Sequence, residues 1–304
     1  MISTENTARF KLIASMIIFG TIGIFRSYIP LPSSVIALVR GAIGTLFLLL
    51  VITLKRQKIN FTAIKKNLLL LCISGAFIGI NWILLFEAYR YTTVATATLC
   101  YYMAPVFVII MSPFILKEKL TAKKILCTIS AFIGMVIISG IVGNADSYIT
   151  GVIFGLGAAA LYASVVILNK FIKGISDTEK TLIQLGSAAI TLFPYVLLTE
   201  NIPSLSANAT TIILLVVVGI IHTGLAYTLY FGSIEHIKAQ TAAMLSYLDP
   251  VIALILSAIV LKEGFSIAQL VGSILILGAA FVSETPKIMI CKDFFKKRKK
   301  MLDK

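Results

Sequence analysis

Two stretches of the chain resemble each other at a constant offset of 145 residues. Residues 96–118 are TATLCYYMAPVFVIIMSPFILKE, and residues 241–263 are TAAMLSYLDPVIALILSAIVLKE. Extended without a gap to 79–139 and 224–284, the alignment holds 14 identities in 61 pairs. The shared residues include Pro, Tyr and Lys-Glu, so common hydrophobicity does not explain the match. The chain therefore contains an internal repeat.

The composition places this repeat in a membrane. Of 304 residues, 59% are apolar and 13% are charged, and the mean hydropathy is +0.99. Soluble proteins carry about 25% charged residues, and so few charges cannot cover a soluble globule of this size. A soluble enzyme is excluded. The net charge of +14 is attributed to membrane topology rather than to a nucleic-acid partner.

The apolar segments predict an all-α integral membrane protein with ten transmembrane helices. Each segment approaches or exceeds the roughly 20 residues that a spanning helix needs. The predicted spans are 11–29, 33–54, 67–88, 93–115, 121–142, 150–173, 178–199, 209–232, 237–261 and 265–284.

The basic residues predict the orientation of these spans. With both termini in the cytoplasm, 23 of the 27 Lys and Arg residues fall on the cytoplasmic side. Such a bias is the positive-inside pattern of multi-pass proteins. The expected location is the inner (plasma) membrane, with the basic tail in contact with anionic membrane lipid.

The repeat divides the chain into two five-helix units, 1–148 and 149–285, followed by a basic cytoplasmic tail, 286–304. Five is an odd number, so the second unit enters the membrane from the opposite side. Inverted repeats are typical of secondary transporters, whose substrate site lies between the units near the middle of the membrane. The predicted architecture is therefore two inverted five-helix repeats around a central cavity.

Several residues also resemble a known family. Arg40 in the second span, the stretch FEAYRYT at 86–92, Pro105 and the two Leu-Lys-Glu turns are similar to the EamA branch of the drug/metabolite transporter superfamily. The resemblance covers essentially the whole chain. It implies a transporter, and characterised members of that family mostly export amino acids and other small metabolites. Asp249 departs from the family pattern, which expects an apolar or small residue before Pro250.

Ionisable side chains inside spans are candidates for substrate contact because burying them in a membrane is costly. Asp249 precedes Pro250, which lacks the N–H that would bond the carbonyl of Ser246 and so loosens the helix there. His222 lies in the middle of the eighth span, and Arg40 lies in the second. Interhelical hydrogen bonds, or for Arg40 snorkelling to the surface, are the structural alternatives.

Aromatic residues at matching positions of the two units form a second candidate set. The 145-residue offset pairs Trp82 with Tyr227 and Tyr102 with Tyr247, which would face a central cavity from opposite walls. Aromatic rings offer apolar area, a polar group and a face for cations. Packing against lipid or other helices is the alternative. Neighbouring residues add hydrogen-bonding capacity; they are Asn81, Tyr101 and Gln240.

Other motifs predict structural roles. Glu87 and Arg90 have the spacing of an ion pair on one helix face, and the glutamates of the two Leu-Lys-Glu turns, Glu118 and Glu263, are expected to be caps or gate contacts. Glycines spaced four apart predict close helix packing. They are Gly75 with Gly79 and Gly151 with Gly155. Such faces also allow a homodimer.

These observations predict a secondary transporter that exports amino acids or related small metabolites by alternating access. The alternatives are phosphorylated or nucleotide-linked substrates, an intramembrane enzyme, and a channel or scaffold. The enzyme is disfavoured because the spans lack clustered carboxylates and the zinc and nucleophile-elbow motifs. The expected partner is a small-molecule substrate, with no metal and no cofactor.

Overall fold

The computed structural model describes residues 4–92, 94–139, 149–202, 205–260 and 266–284. Within these ranges the chain is helical and contains no strand, as predicted. The α-helices are α1 Thr4–Ser27, α2 Ser33–Leu54, α3 Phe61–Tyr91, α4 Val94–Tyr101, α5 Ala104–Ile115, α6 Ala122–Ser139, α7 Ile149–Asn169, α8 Asp177–Thr199, α9 Ala209–Val217, α10 Ala226–Ile234, α11 Ala239–Ser246, α12 Leu248–Val260 and α13 Ile267–Glu284. A π-helical segment, Val218–Leu225, joins α9 to α10.

Among the described residues, eight helical segments are long and apolar enough to cross a membrane. Their outward faces are strongly apolar, for example at Leu69 and Ile190, whose exposed fractions are 73% and 75%. Such surfaces suit lipid rather than water, so the chain is a multi-pass membrane protein. The fifth and tenth predicted spans correspond to α6 and α13, which have 18 residues each and are not among these eight segments. The count of ten spans therefore stays a prediction.

Two predicted spans are broken near their middles. The fourth is divided into α4 and α5, and the ninth into α11 and α12. Each break precedes a proline, Pro105 or Pro250, which lacks the N–H that would continue the helical hydrogen-bond ladder. The loosened turn expected before Pro250 is confirmed, since α11 ends at Ser246 and α12 begins at Leu248.

The eighth predicted span contains the π-helical segment, which the sequence analysis did not predict. Thr223 Oγ1 donates to the carbonyl of Val218 at 3.1 Å, five residues earlier. Glycines in this segment let α2 approach closely: a Cβ added to Gly219 would lie 2.5 Å from the Ile43 side chain. π-helical turns are frequent at functional sites.

The glycine prediction is confirmed. A Cβ on Gly75 would lie 2.4 Å from the carbonyl oxygen of Gln184, and one on Gly79 would lie 2.8 Å from that of Ala188. α3 therefore packs directly on the backbone of α8. Added Cβ atoms on the other pair of glycines would meet the chain near α4, at Thr92 for Gly151 and at Cys100 for Gly155.

The described connections gather at two ends of the bundle. One end, called the lysine-rich end, contains the connections of α2 to α3, α5 to α6, α7 to α8 and α10 to α11. The first of these connections meets the start of α8 there, since the backbone N–H of Asn60 donates to the Glu179 carboxylate at 2.8 Å. The other, here called the vestibule end, joins α1 to α2 and α8 to α9, and Ser34 there hydrogen-bonds to Glu200. Glu263 and the basic tail lie outside the described residues.

Candidate functional site

A cavity of about 190 Å³ lies inside the helix bundle. Helices from both predicted units line it, and six of the ten predicted substrate residues lie in its wall. These six are Arg40, Trp82, Tyr101, Tyr102, Tyr227 and Asp249. The broken helices supply the wall near their breaks, which is where their backbones leave regular helical geometry.

Arg40 brings a positive charge to this wall from α2. Its guanidinium carbon lies 4.4 Å from the centre of the Trp82 ring, a cation–π distance. Its Nε is buried without a hydrogen-bond partner. In the described part of the chain, no carboxylate lies within 4 Å to form an ion pair with it. A substrate carboxylate would supply the missing partner.

Asp249 brings a carboxyl group from the first turn of α12. Tyr102, which comes from the break in the other repeated span, lines the same cavity. Across the residues described, no Lys or Arg pairs with Asp249. The cavity thus contains one acid and one base that do not neutralise each other directly.

Aromatic rings fill much of the remaining wall. Trp82 and Tyr227, a pair predicted from the repeat, meet edge to face with ring centres 6.3 Å apart. Tyr101 contacts Tyr162 at 5.8 Å, and Tyr162 stacks on Tyr230 at 6.2 Å. Tyr230 is only 1% exposed, so it supports Tyr162 from behind while Tyr101 and Tyr162 line the cavity.

Two of the predicted residues hold the repeated spans together instead of lining the cavity. Tyr247 is fully buried, and its hydroxyl donates to the carbonyl of Tyr102 at 3.4 Å, beside the break in the other span. Gln240 donates from Nε2 to Ser112 Oγ at 2.8 Å. The repeat pairs Tyr102 with Tyr247, but Tyr102 lines the cavity and Tyr247 does not.

Two further predicted residues also lie away from the cavity. Asn81 is buried and donates from Nδ2 to the carbonyl of Ala158 at 2.5 Å, which ties α3 to α7. His222 Nε2 lies 2.7 Å from Thr21 Oγ1, and its ring packs edge to face on Phe25 at 4.8 Å. The contact of His222 matches the interhelical hydrogen bond considered as its structural alternative.

The sequence analysis missed several cavity residues. Phe19 of α1 and Tyr162 of α7, the first helix of each unit, line the cavity together with Ser246 at the end of α11. The repeat alignment begins at residue 79 and does not cover α1 or α7. A Tyr among small residues of α7 was the available signal for Tyr162.

A second, polar cavity of about 390 Å³ lies at the vestibule end, between α2, α3 and α8. The predicted ion pair of Glu87 and Arg90 is confirmed there, with an N–O distance of 3.0 Å. The Tyr195 hydroxyl also donates to Glu87, at 2.5 Å. Phe86 lines both this vestibule and the central cavity, so one side chain contributes to the wall between them.

A helical bundle with broken spans around an internal polar and aromatic cavity defines a membrane transporter. The EamA-like transporter family model matches residues 7–140 and 149–285. The chain therefore belongs to the EamA-like transporter family, and the expected place in the drug/metabolite transporter superfamily is confirmed.

Curated relatives agree with this membership. The chain is 32% identical to the uncharacterized transporter YxxF of Bacillus subtilis strain 168, over 84% of this chain and 82% of the relative. It is 25% identical to the protein PecM of Dickeya dadantii, over 76% of each chain. A probable amino-acid metabolite efflux pump of Salmonella typhimurium is 26% identical over 58% of this chain and 62% of its own. The names indicate a transporter rather than an enzyme.

The fold is also found in a solved protein. A crystal structure matches with a TM-score of 0.80 and 18% sequence identity, covering 91% of this chain and 96% of that one. At this identity the match establishes the fold alone.

Proposed function

We propose that the chain is a secondary transporter built from ten spans in two inverted units, 1–148 and 149–285. The helix contacts support this arrangement because they occur in matched sets. The contact of α3 with α8 has its counterpart in the contact of α2 with the π-helical segment. The contact of α1 with α10 has its counterpart in the contact of α7 with α3. α1 also packs on α12 as α7 packs on α5, and α6 packs on α13. Exchange of the two units maps each contact onto its counterpart.

In the proposed orientation, the lysine-rich end faces the cytoplasm. This end contains the connections that carry most of the basic residues, including Lys55, Lys58, Lys117 and Lys119. Basic connections stay on the cytoplasmic side of a bacterial inner membrane. The vestibule end then faces outward, and both termini are cytoplasmic.

The proposed substrate is a small zwitterion of the amino-acid type. Arg40 would bind its carboxylate, and Asp249 with Tyr102 would bind its ammonium group. Trp82 and Tyr227 would cover its apolar part. The observation that carries this proposal is one cavity holding an unpaired acid and an unpaired base. Its volume of about 190 Å³ is below the 300–1,000 Å³ of drug-sized pockets, which favours a small metabolite.

Export is the proposed direction. The name of the Salmonella typhimurium relative, a probable amino-acid metabolite efflux pump, supports it. A phosphorylated or nucleotide-linked substrate fits less well, because Arg40 is the sole Lys or Arg in the cavity wall as described. Such anions are usually held by several basic groups.

Transport into liposomes tests this function. Purified protein would be screened against amino acids, amines, carboxylates and sugar phosphates, with and without an imposed pH gradient. We expect saturable transport of amino acids, and loss of that transport in Arg40→Gln with partial recovery in Arg40→Lys. The matched control is Arg26→Gln, since Arg26 lies outside the cavity wall at the end of α1. Transport of phosphorylated compounds alone would overturn the substrate assignment.

A further inference from the structure

The connection between α10 and α11, residues 235–238, is clamped at the lysine-rich end. Lys170, just after α7, donates from Nζ to the carbonyls of Ile234 and Ile237 at 2.8 and 2.5 Å. Ile234 is the last residue of α10, where the helix dipole concentrates partial negative charge. The ammonium group therefore stabilises this helix end through both charge and hydrogen bonds.

Glu118 holds the other side of the same connection. Its carboxylate accepts from the backbone N–H of Ala239 at 2.8 Å and of Gln240 at 3.2 Å. These are the first N–H groups of α11, where the dipole is positive. Glu118 belongs to the first unit and α11 to the second, so the contact ties the two units together at this end.

A third contact makes the connection costly to displace. Lys180 Nζ lies 3.4 Å from Glu235, and the Lys180 side chain is 0% exposed. Removing the partner of a buried charge leaves that charge uncompensated, which is strongly unfavourable. A substantial movement of residues 235–238 away from α8 must therefore re-solvate Lys180 at the same time.

The clamped connection leads directly to the central cavity. α11 has eight residues, about 12 Å of helix by the rise of 1.5 Å per residue, and its residues 239–245 are buried. Its last residue, Ser246, lines the cavity, as does Asp249 just beyond the break. A movement of the clamped end of α11 would therefore move this wall.

The two ends of the cavity differ. On the side of α10, the rings of Tyr101, Tyr162 and Tyr230 pack one on the next, and Tyr101 and Tyr162 line the cavity. Toward the vestibule end, Phe86 lines both the cavity and the vestibule. At the lysine-rich end, the contacts of Lys170, Glu118 and Lys180 hold the helices around the connection together.

We propose that Glu118 and Lys170 form the cytoplasmic gate of the transporter. Their hydrogen bonds to the ends of α11 and α10 stabilise the outward-facing state, and substrate reaches the cavity from the cytoplasm after they break. This inference rests on the proposed orientation. It adds two positioning residues that touch no substrate.

Labelling from each side of the membrane tests the gate. Ser246→Cys is placed in a background whose four native cysteines, Cys72, Cys100, Cys127 and Cys291, are replaced by serine. Vesicles of known orientation are treated with a membrane-impermeant maleimide. We expect Glu118→Gln and Lys170→Met each to raise the labelling rate from the cytoplasmic face about tenfold, a shift of about 1.4 kcal/mol between the two states.

Matched variants separate the gate from general disturbance. Glu5→Gln removes an exposed carboxylate that pairs with Arg9 on the same helix, and it should leave labelling unchanged. Glu118→Asp and Lys170→Arg keep the charges and should stay close to the parent rate. Equal cytoplasmic labelling in Glu118→Gln, Lys170→Met and Glu5→Gln would overturn the gate. Because labelling needs no substrate, that result is distinct from failure of the substrate assignment.

A crosslink gives a second readout if the single variants fold poorly. The pair Glu118→Cys and Ala239→Cys, joined by a short thiol crosslinker, should stop transport, and a cleavable linker should restore it on cleavage. Crosslinked protein that transports at the uncrosslinked rate would overturn the proposal. The matched crosslink joins Glu5→Cys to Arg9→Cys, one turn apart on α1 where the native side chains form an ion pair, and should leave transport intact.

Discussion

The fourth and ninth spans break at positions that match under the 145-residue offset, yet the two breaks differ in chemistry. Both contain a Tyr and precede a Pro, and both divide a predicted span into two helices. Ala104 stands before Pro105 where Asp249 stands before Pro250. Tyr102 lines the cavity together with Asp249, whereas Tyr247 is buried and donates to the carbonyl of Tyr102.

The difference shows how a duplicated scaffold acquires a directional site. Proline repeats the backbone break in both units because it removes the same hydrogen bond each time. The side chains before the prolines are under no such constraint, so a carboxyl group precedes Pro250 where a methyl group precedes Pro105. The cavity is therefore chemically asymmetric within a nearly symmetric frame.

The largest expected effect comes from removing this asymmetry at Asp249. Asp249→Asn should lower transport of ammonium-bearing substrates about thirtyfold or more, as loss of a buried charge partner usually costs 2–5 kcal/mol. The matched change in the other break, Ala104→Ser, should alter transport less than about threefold. Initial rates in liposomes measure both. Equal losses in the two variants would contradict the assigned role of Asp249.

The two tyrosines should separate binding from stability. Tyr102→Phe removes the hydroxyl proposed to bind the substrate's ammonium group beside Asp249, and we expect KM to rise about fivefold, in line with one lost hydrogen bond of about 1 kcal/mol. Tyr247→Phe leaves the cavity wall intact and should instead lower the free energy of unfolding by about 1 kcal/mol. Transport kinetics and denaturant unfolding in detergent check this. A KM effect confined to Tyr247→Phe would reverse the comparison.

Replacing the two prolines tests whether the helix breaks are needed for the conformational change of transport. Pro250→Ala and Pro105→Ala each restore one backbone N–H and favour a continuous helix. We expect kcat to fall about two- to threefold with KM little changed, and more for Pro250 because α12 carries Asp249. Neither variant should unfold at a lower temperature. Unchanged kcat in both would show that the breaks serve shape alone.

The smallest effect on transport is expected at a matched pair of glycines, Gly79 and Gly224. A Cβ on Gly79 would meet the carbonyl oxygen of Ala188 at 2.8 Å, whereas one on Gly224 would meet the Phe47 ring at 2.7 Å. The Phe47 ring can rotate away from an added Cβ, whereas the backbone carbonyl of Ala188 cannot. Gly79→Ala should therefore cost about 1–3 kcal/mol of stability and Gly224→Ala less, as overpacking costs indicate. Thermal unfolding ranks the two, and the reverse order would contradict this packing.

The predicted site residues divide into those that line the cavity and those that bond to neighbouring helices. Arg40 and Asp249 were predicted from the cost of burying charge, and both line the cavity. His222 satisfies the same criterion and Asn81 was predicted for its hydrogen-bonding capacity, but the hydrogen bonds of both go to neighbouring helices. A sequence shows that a polar group is in a span without showing which way it faces. Tyr162 was missed for a corresponding reason: a Tyr among small residues of α7 was the available signal, but it does not show whether the ring lines a cavity or packs against a helix.

By itself, the sequence determined the helical membrane character, the repeat, the family and the loosened turn before Pro250, because these depend on composition, period and proline chemistry. The tertiary structure alone decided which groups share the cavity, that Tyr247 is hidden while Tyr102 is not, and that Lys170 and Glu118 meet the ends of two helices. These depend on helix rotation and packing. Rotation about a helix axis is set by contacts between distant segments, and its consequences cannot be derived from any one segment.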